Sequence, residues 1–413
     1  MAEQRQSKKD ESVAQFLLLC LCGRWDPTAL DHARALGARS DLDWDALCRV
    51  AYVEGVAPLL YHIARDQDLL PPSVKQNLRL IYYHNAGRNL FLFHKLKGVV
   101  GHLMAEGMPV ILLKGAALAE TVYRNASVRP MVDLDLLVRR KDVSTALHVL
   151  TSLDYETIPS HTYWDAVVLH KQGQVDTVFD VHWGLFLSFY YQHAIPMDWF
   201  WQTARSVGMG DASAWVLGPE AQVLHLCGHL LLHHSDGEGF RLLGLHDVAE
   251  VIVFYQEQIE WDQVLARAQA YDLVLPVQQI LTQVGKEWNA PIPSAVLERL
   301  RALRPSRDEE RVFAWFSTVH SSPAQSFRAN LASIPGWGLR LRFVWCNLFP
   351  PVGYMQHCYR IPHWLLVPLY YPYRWFLALC HVLRRRDSPY MGPFPGRAAW
   401  GGRTTCQNQG WQI

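Results

Sequence analysis

Acidic side chains all but vanish from the end of this chain. Residues 311–413 hold one acid, Asp387, and no lysine, against eleven arginines. The whole chain has 39 basic and 38 acidic residues, so the first 310 hold 28 against 37, a local charge of about −9 against about +10. Such asymmetry points to an acidic partner for the C-terminal third: lipid headgroups, nucleic acid or an acidic surface of the same protein. Charge of either sign is scarce at 19%, while half the residues are hydrophobic, which excludes a disordered chain and predicts large cores. Cysteine is scarce and scattered. Apart from Cys20-x-Cys22 the eight stand singly, with no zinc spacing and no readable disulfide framework, which fits a reducing, cytoplasmic setting. Residues 1–11 are polar and mixed in charge, unlike a signal peptide. No clean membrane span is present either. The apolar run 364–383 is interrupted by Pro368, Pro372, Arg374 and His381 and followed by Arg384, Arg385 and Arg386. A buried helix is expected there, with an interfacial segment peripheral to the membrane as the alternative. From Asp387 onward Pro, Gly and polar residues predict a floppy tail.

What is present begins with helix. Trp44, Leu47, Val50, Ala51, Val56, Leu59 and Leu60 recur at near-helical spacing, and Pro71-Pro72-Ser73 reads as a helix start. Residues 74–106 contain no proline, which predicts one long helix or two. Gly107-Met-Pro109 is a turn signal before a short apolar strand at 110–113. Gly115 then allows a tight turn where backbone can approach a phosphate, and residues 116–123 can form a helix whose first amides face an anion. Lys114 at this turn is a candidate phosphate contact, as is Arg129 ahead of the next strand.

That next strand carries the chemistry. In Val132-Asp133-Leu134-Asp135-Leu136 alternate residues share a face, so Asp133 and Asp135 point one way and the apolar residues into a core. Further on, Asp176, Asp180 and His182 share one face, with Phe179, Val181 and Trp183 on the other. Carboxylates crowded in this way repel, and such a cluster persists when a divalent cation holds it together; hard oxygen ligands suit Mg²⁺, with two ions conceivable. Mg²⁺ held between carboxylates and substrate phosphates is the usual chemistry of phosphoryl and nucleotidyl transfer. Charged residues blocking an exposed strand edge are the alternative explanation.

Lys114-Gly-Ala-Ala-Leu118, Arg129-Pro-x-x-Asp-Leu-Asp-Leu-Leu-Val138 and Asp180-Val-His-Trp183, in this order, resemble the uncharacterised nucleotidyltransferase family of bacterial proteins, within the DNA polymerase beta-like nucleotidyltransferase superfamily. The resemblance implies a turn at Gly115, an acid pair at Asp133 and Asp135 and a third acid at Asp180, with these three as catalytic and metal-holding residues. It implies nucleotide contacts at Lys114, Gly115 and Arg129, and a nucleoside triphosphate as one partner. Ala116 stands where the wider superfamily has Ser, which removes a hydroxyl contact to a nucleotide phosphate.

Later residues supply secondary candidates. His225, His229 and His233 follow at steps of four on one face of a helix at 219–234. The outer two lie roughly 12 Å apart along the axis, and no His-Glu-x-x-His pattern is present, so a cleft lining or hydrogen-bonded packing is expected instead of a shared zinc. Asp247, on a helix at 241–255, falls where the family has an Asp; His182, His229, His233 and Asp247 form the second tier of site residues. The expected architecture is α+β. A small mixed-sheet core at 107–200 follows a helical region at 1–106 and precedes a helical region completing the cleft at 201–310, with the basic, aromatic region at 311–413. The expected function is Mg²⁺-dependent transfer of a nucleoside monophosphate to a hydroxyl acceptor of unknown identity. The alternatives are a non-catalytic nucleotide-binding protein and a peripheral membrane protein with a degenerate core.

Overall fold

The structure, a computed structural model, describes residues 2–383 apart from 40–41, 159–164, 187, 211, 234–241 and 317–322. The expected tail beyond Asp387 and the basic run 384–386 lie outside the described residues.

The N-terminal residues fold as helices, as their periodicity predicts. Asp26 and Asp43 cap two of them, accepting the backbone N–H of Thr28 at 3.1 Å and of Ala46 at 2.8 Å. Residues 74–106 form part of a single 34-residue helix, Pro72–Ala105, with Pro72 in its first turn, where a missing N–H is harmless. We call it the long helix. One edge of it is polar for a reason. Asn85 donates to the Ser127 carbonyl at 2.7 Å, Arg88 to that of Met131 at 3.2 Å, and Asn89 to that of Arg129 at 2.8 Å. Spaced three and four residues apart, these side chains share a face and clamp the loop that leads into the acidic strand.

The fold is α+β, built on a seven-stranded mixed sheet in the order β3-β4-β5-β2-β1-β7-β6. In chain order the strands are β1 (Ile111–Leu112), β2 (Leu134–Leu137), β3 (Glu156–Ile158), β4 (Ala166–Lys171), β5 (Thr177–His182), β6 (Arg205–Met209) and β7 (Ala212–Val216). β1 runs antiparallel to β2 and parallel to β7, and β2 runs parallel to β5. Leu134, Leu136, Phe179 and Val181 fill a core under the long helix and the helix Val143–Ser152. The opposite face, with Ile111 and Leu137, joins a second, larger core with the N-terminal helices and with the helices Pro219–His233 and Leu242–Tyr255.

Four local expectations change. The region expected to be helical from 201 opens with strands: β6 and β7 form a hairpin turning at Gly210 (φ 73°), so the sheet extends past residue 200. Val132 lies in the bend before β2 and is 66% exposed instead of facing a core. Asp133 precedes β2 for the same reason. Asp176 lies outside β5, exposed, where its carboxylate accepts the Gly173 N–H at 3.3 Å.

Among the described residues no helix is long and apolar enough to cross a membrane. The C-terminal region instead makes short helices on small satellite cores, one of them joining Phe343 and Ile334 to Phe189. Arg374, one of the arginines counted toward an acidic partner, is instead buried among Tyr354 and Tyr359.

Candidate active site

Strand register assembles the acids. Asp135 of β2 lies directly beside Asp180 of β5, and Leu137 beside His182. In parallel neighbours such partners are about 4.8 Å apart and share a face. His182 follows Asp180 by two residues, so its ring swings over the same spot. Its Nε2 lies 3.0 Å from Asp135 Oδ1 and 3.9 Å from Asp180 Oδ2. Asp135, Asp180 and His182 each offer one ligand atom within 4.8 Å of the others. Asp133, one bend earlier, is not part of that group, so the compact set contains His182 in place of the first acid.

The turn before these strands delivers the cation. Lys114 takes a left-handed backbone (φ 45°), and the strain expected of the glycine therefore falls on the lysine. The Leu113 N–H donates to the Asp135 carbonyl at 3.0 Å, holding the turn against β2. Lys114 Nζ then donates to Asp135 Oδ1 at 2.7 Å. The helix Lys114–Thr121 starts here with no side chain capping it, so its first N–H groups are available to an anion.

Charge is divided unequally within this group. Burial disfavours the Asp135 carboxylate, but the Lys114 ammonium and the His182 hydrogen bond outweigh it and hold the group well below the usual carboxylate range. Asp133 moves the other way: burial, then the charge of Asp135, pushes it up to about 7. Burial also raises Asp180 against the pull of His182. Lys114 is disfavoured by burial yet held charged by Asp135, Asp133 and Asp180. Asp180 Oδ1 and His182 Nδ1 are buried without a hydrogen-bond partner. Two carboxylates, an imidazole and unspent buried lone pairs are a donor set that suits a divalent cation.

Arg129 and Asp247 find each other. Arg129 Nε lies 3.1 Å from both carboxylate oxygens of Asp247 and Nη2 lies 2.7 Å from one, while Tyr123 Oη donates to the other at 2.8 Å. Asp247 is buried and Arg129 largely so; the pair ties the loop before β2 to the helix Leu242–Tyr255, and the guanidinium is spent on Asp247 while its charge still reaches Asp135. This explains Gly115. A Cβ there would lie 2.3 Å from Arg129 Nη1 and 2.9 Å from Met131 Cγ, so the glycine makes room for the guanidinium.

Of the three histidines on the helix Pro219–His233, it is His225 that faces the site. It lines a cavity of about 10 Å³, room for about one water, together with Lys114, Leu113 and Gln222. Burial and the nearby Lys114 charge hold its imidazole down to about 3, so it is neutral. Sequence reasoning named the series but carried forward only His229 and His233. His229 is half-buried with its ring 6.1 Å from that of His225, and the side chain of His233 lies outside the described residues. A larger cavity, about 260 Å³, opens beyond the ends of β2 and β5. Arg139, Trp183, Gln192 and Trp201 line it, with the Arg139 guanidinium 4.4 Å from the Trp201 ring centre. No sequence argument singled it out, because its walls come from four separate segments.

The family described as uncharacterised nucleotidyltransferase matches residues 40–288, more than half of the chain and all of the site just described. The chain belongs to the uncharacterised nucleotidyltransferase family. The family assignment agrees with the mixed sheet and with the acidic group as a candidate metal-binding set. A solved structure of an antigenic nucleotidyltransferase-like protein from Paracoccidioides brasiliensis is similar over 50% of this chain and 96% of that one, at 14% identity and a TM-score of 0.33. That likeness is too distant to carry an argument about the site. No curated protein matches.

Proposed function

We propose that the chain is a Mg²⁺-dependent nucleotidyltransferase that moves a nucleoside monophosphate from a nucleoside triphosphate to a hydroxyl acceptor. The observation that carries this reading is the register of Asp135 with Asp180 under His182, beside an uncapped helix start. Asp135, Asp180 and His182 would hold the cation, with Asp133 at the rim of the group. The bound cation supplies charge neutralisation between the phosphate oxygens. The first N–H groups of the helix Lys114–Thr121 receive triphosphate oxygens. Lys114 leaves Asp135 for a phosphate oxygen, exchanging one anion for another. Asp180 orients the acceptor hydroxyl and takes its proton as the oxygen attacks the α-phosphorus; the bond to the bridging oxygen breaks and pyrophosphate leaves. The 260 Å³ cavity offers room for a planar ring against Trp183 and Trp201, with Arg139 beside it. Arg129 and Asp247 position the acidic strand without touching substrate.

Two observations favour a second reading, a nucleotide-binding protein without turnover. Lys114 already neutralises Asp135, and Ala116 provides no hydroxyl to the turn. The test is incubation of the purified chain with each α-labelled nucleoside triphosphate, Mg²⁺ or Mn²⁺ and fractionated small-molecule, RNA and protein acceptors, reading pyrophosphate and label transfer. Turnover lost in Asp180→Asn supports the transferase. Nucleotide binding with no product in any fraction supports the second reading.

A further inference from the structure

The C-terminal helices turn their aromatic residues outward. On the helix Trp337–Leu348, Trp337, Leu341 and Trp345 are 77%, 66% and 63% exposed, and Leu348 follows them. Steps of four, four and three keep all four on one face. Phe343 and Asn347, on the opposite side, are the residues this helix buries. The helix Val367–Leu383 repeats the pattern: Leu369, Tyr373 and Phe376 are exposed on one face while Val367 and Arg374 turn inward. The two helices meet through Phe349, whose ring lies 4.5 Å from that of Trp345 and 5.3 Å from that of Trp375, which stands beside the second stripe and not in it. Trp364, Leu365 and Leu366 add an exposed turn just ahead of the second stripe. Folded domains rarely leave so many large apolar side chains in contact with water without a partner.

Charge decides which partner. Residues 311–383 contain six arginines, no lysine and no acid. Arg340 lies over the Trp337 ring at 5.6 Å, and Arg342 and Arg360 are exposed. A second copy docking through the same face would set arginine against arginine with no acid to offset them, because a two-fold interface is self-complementary. Trp and Tyr side chains flanked by arginine are what an anionic lipid interface accommodates: the rings settle at headgroup depth and the guanidinium groups meet phosphate. We infer that this surface docks the protein on an anionic membrane, lying on it without crossing. No described helix has the length and hydropathy of a span, and the buried Arg374 belongs to the protein's own packing. The inference stands apart from the proposed catalysis and survives its failure.

The experiment is co-sedimentation of the full chain with phosphatidylcholine vesicles, with and without phosphatidylserine. Binding is expected only where phosphatidylserine is present, and it is expected to fall as salt screens the surface charge. Trp337→Ser combined with Trp345→Ser is expected to lower the partition coefficient at least about tenfold, with the melting temperature changed little because both side chains are largely exposed and touch the fold only at Phe349 and Arg340. Should that variant fail to fold, Arg342→Glu with Arg360→Glu is expected to give a similar loss while retaining the aromatic face. Equal sedimentation with both vesicle types, or with neither, overturns the inference. So does light scattering that finds an oligomer which the tryptophan variant converts to monomer, since the face would then belong to a second copy.

Discussion

Gly115 and Arg129 offer a test in which the sign of an effect, and not only its size, is at stake. Gly115 has an ordinary helical position and needs no left-handed backbone, so alanine there would stabilise the helix by up to about 1 kcal/mol on propensity alone. Its missing Cβ is nonetheless filled by Arg129 Nη1 at 2.3 Å and Met131 Cγ at 2.9 Å. The guanidinium could yield only by breaking contacts of 2.7 and 3.1 Å to Asp247. Gly115→Ala therefore lowers the melting temperature of the parent. Arg129→Ala leaves Asp247 buried with Tyr123 as its remaining named partner, and removing one member of a buried pair costs about 3–5 kcal/mol. At roughly 2–4 °C per kcal/mol, that is on the order of 10 °C. In the Arg129→Ala background the guanidinium clash is gone, Met131 Cγ at 2.9 Å is left as a close contact that a side-chain shift relieves, and Gly115→Ala is then close to neutral or stabilising. The coupling, about 0.5–3 kcal/mol, is read from four melting curves without any activity assay. Equal shifts from Gly115→Ala in both backgrounds would refute this account of the turn.

Three further outcomes follow from the site. Asp133 binds its proton more tightly folded than unfolded, so without divalent cations stability falls as pH rises from about 3.8 toward about 7, by up to about 1.4 kcal/mol per unit; Asp133→Asn removes that slope, and parallel melting profiles in chelator would exclude the effect. Lys114→Ala weakens nucleotide binding more than it slows the bound complex, because a phosphate contact made from the start acts in ground and transition states alike; calorimetry with an unchanged Kd would remove Lys114 from the site. Trp201→Ala raises KM for the substrate that uses the 260 Å³ cavity by about tenfold, a typical loss for one stacked ring, and an unchanged KM for every substrate tested would leave that cavity without a role.

The acids were legible because strand alternation is a local rule: Asp135, Asp180 and His182 fall on one face from spacing alone. What spacing could not give was the rank of His182, because the parallel register of β2 and β5 is not written in either strand. Val132 and Asp133 were misplaced by the same locality. The loop that delivers them is held by Asn85, Arg88 and Asn89, some forty residues upstream, and their helical spacing does not say which loop they will meet. The fate of Arg129 depended on Asp247, which lies far along the chain, and a lone arginine before an acidic strand reads equally well as a phosphate contact. β6 and β7 are hard to read in the sequence although Val207, Met209, Ala214 and Val216 alternate inward, because short strands beside small residues leave little signal.

β1 has only two residues, and its neighbours arrive at very different times. β1 meets β2 about two dozen residues later, but its other edge waits for β7, with Ile111 opposite Trp215. The lock on Arg129 waits longer still, for Asp247. During synthesis the turn that presents Lys114 therefore leaves the ribosome long before anything can hold it in place. Such long-range closure is slow and exposes strand edges while it lasts. A nascent chain stopped near residue 200 would carry the acids of β2 and β5 but neither β7 nor Asp247, and chaperones would meet β1 as an open edge.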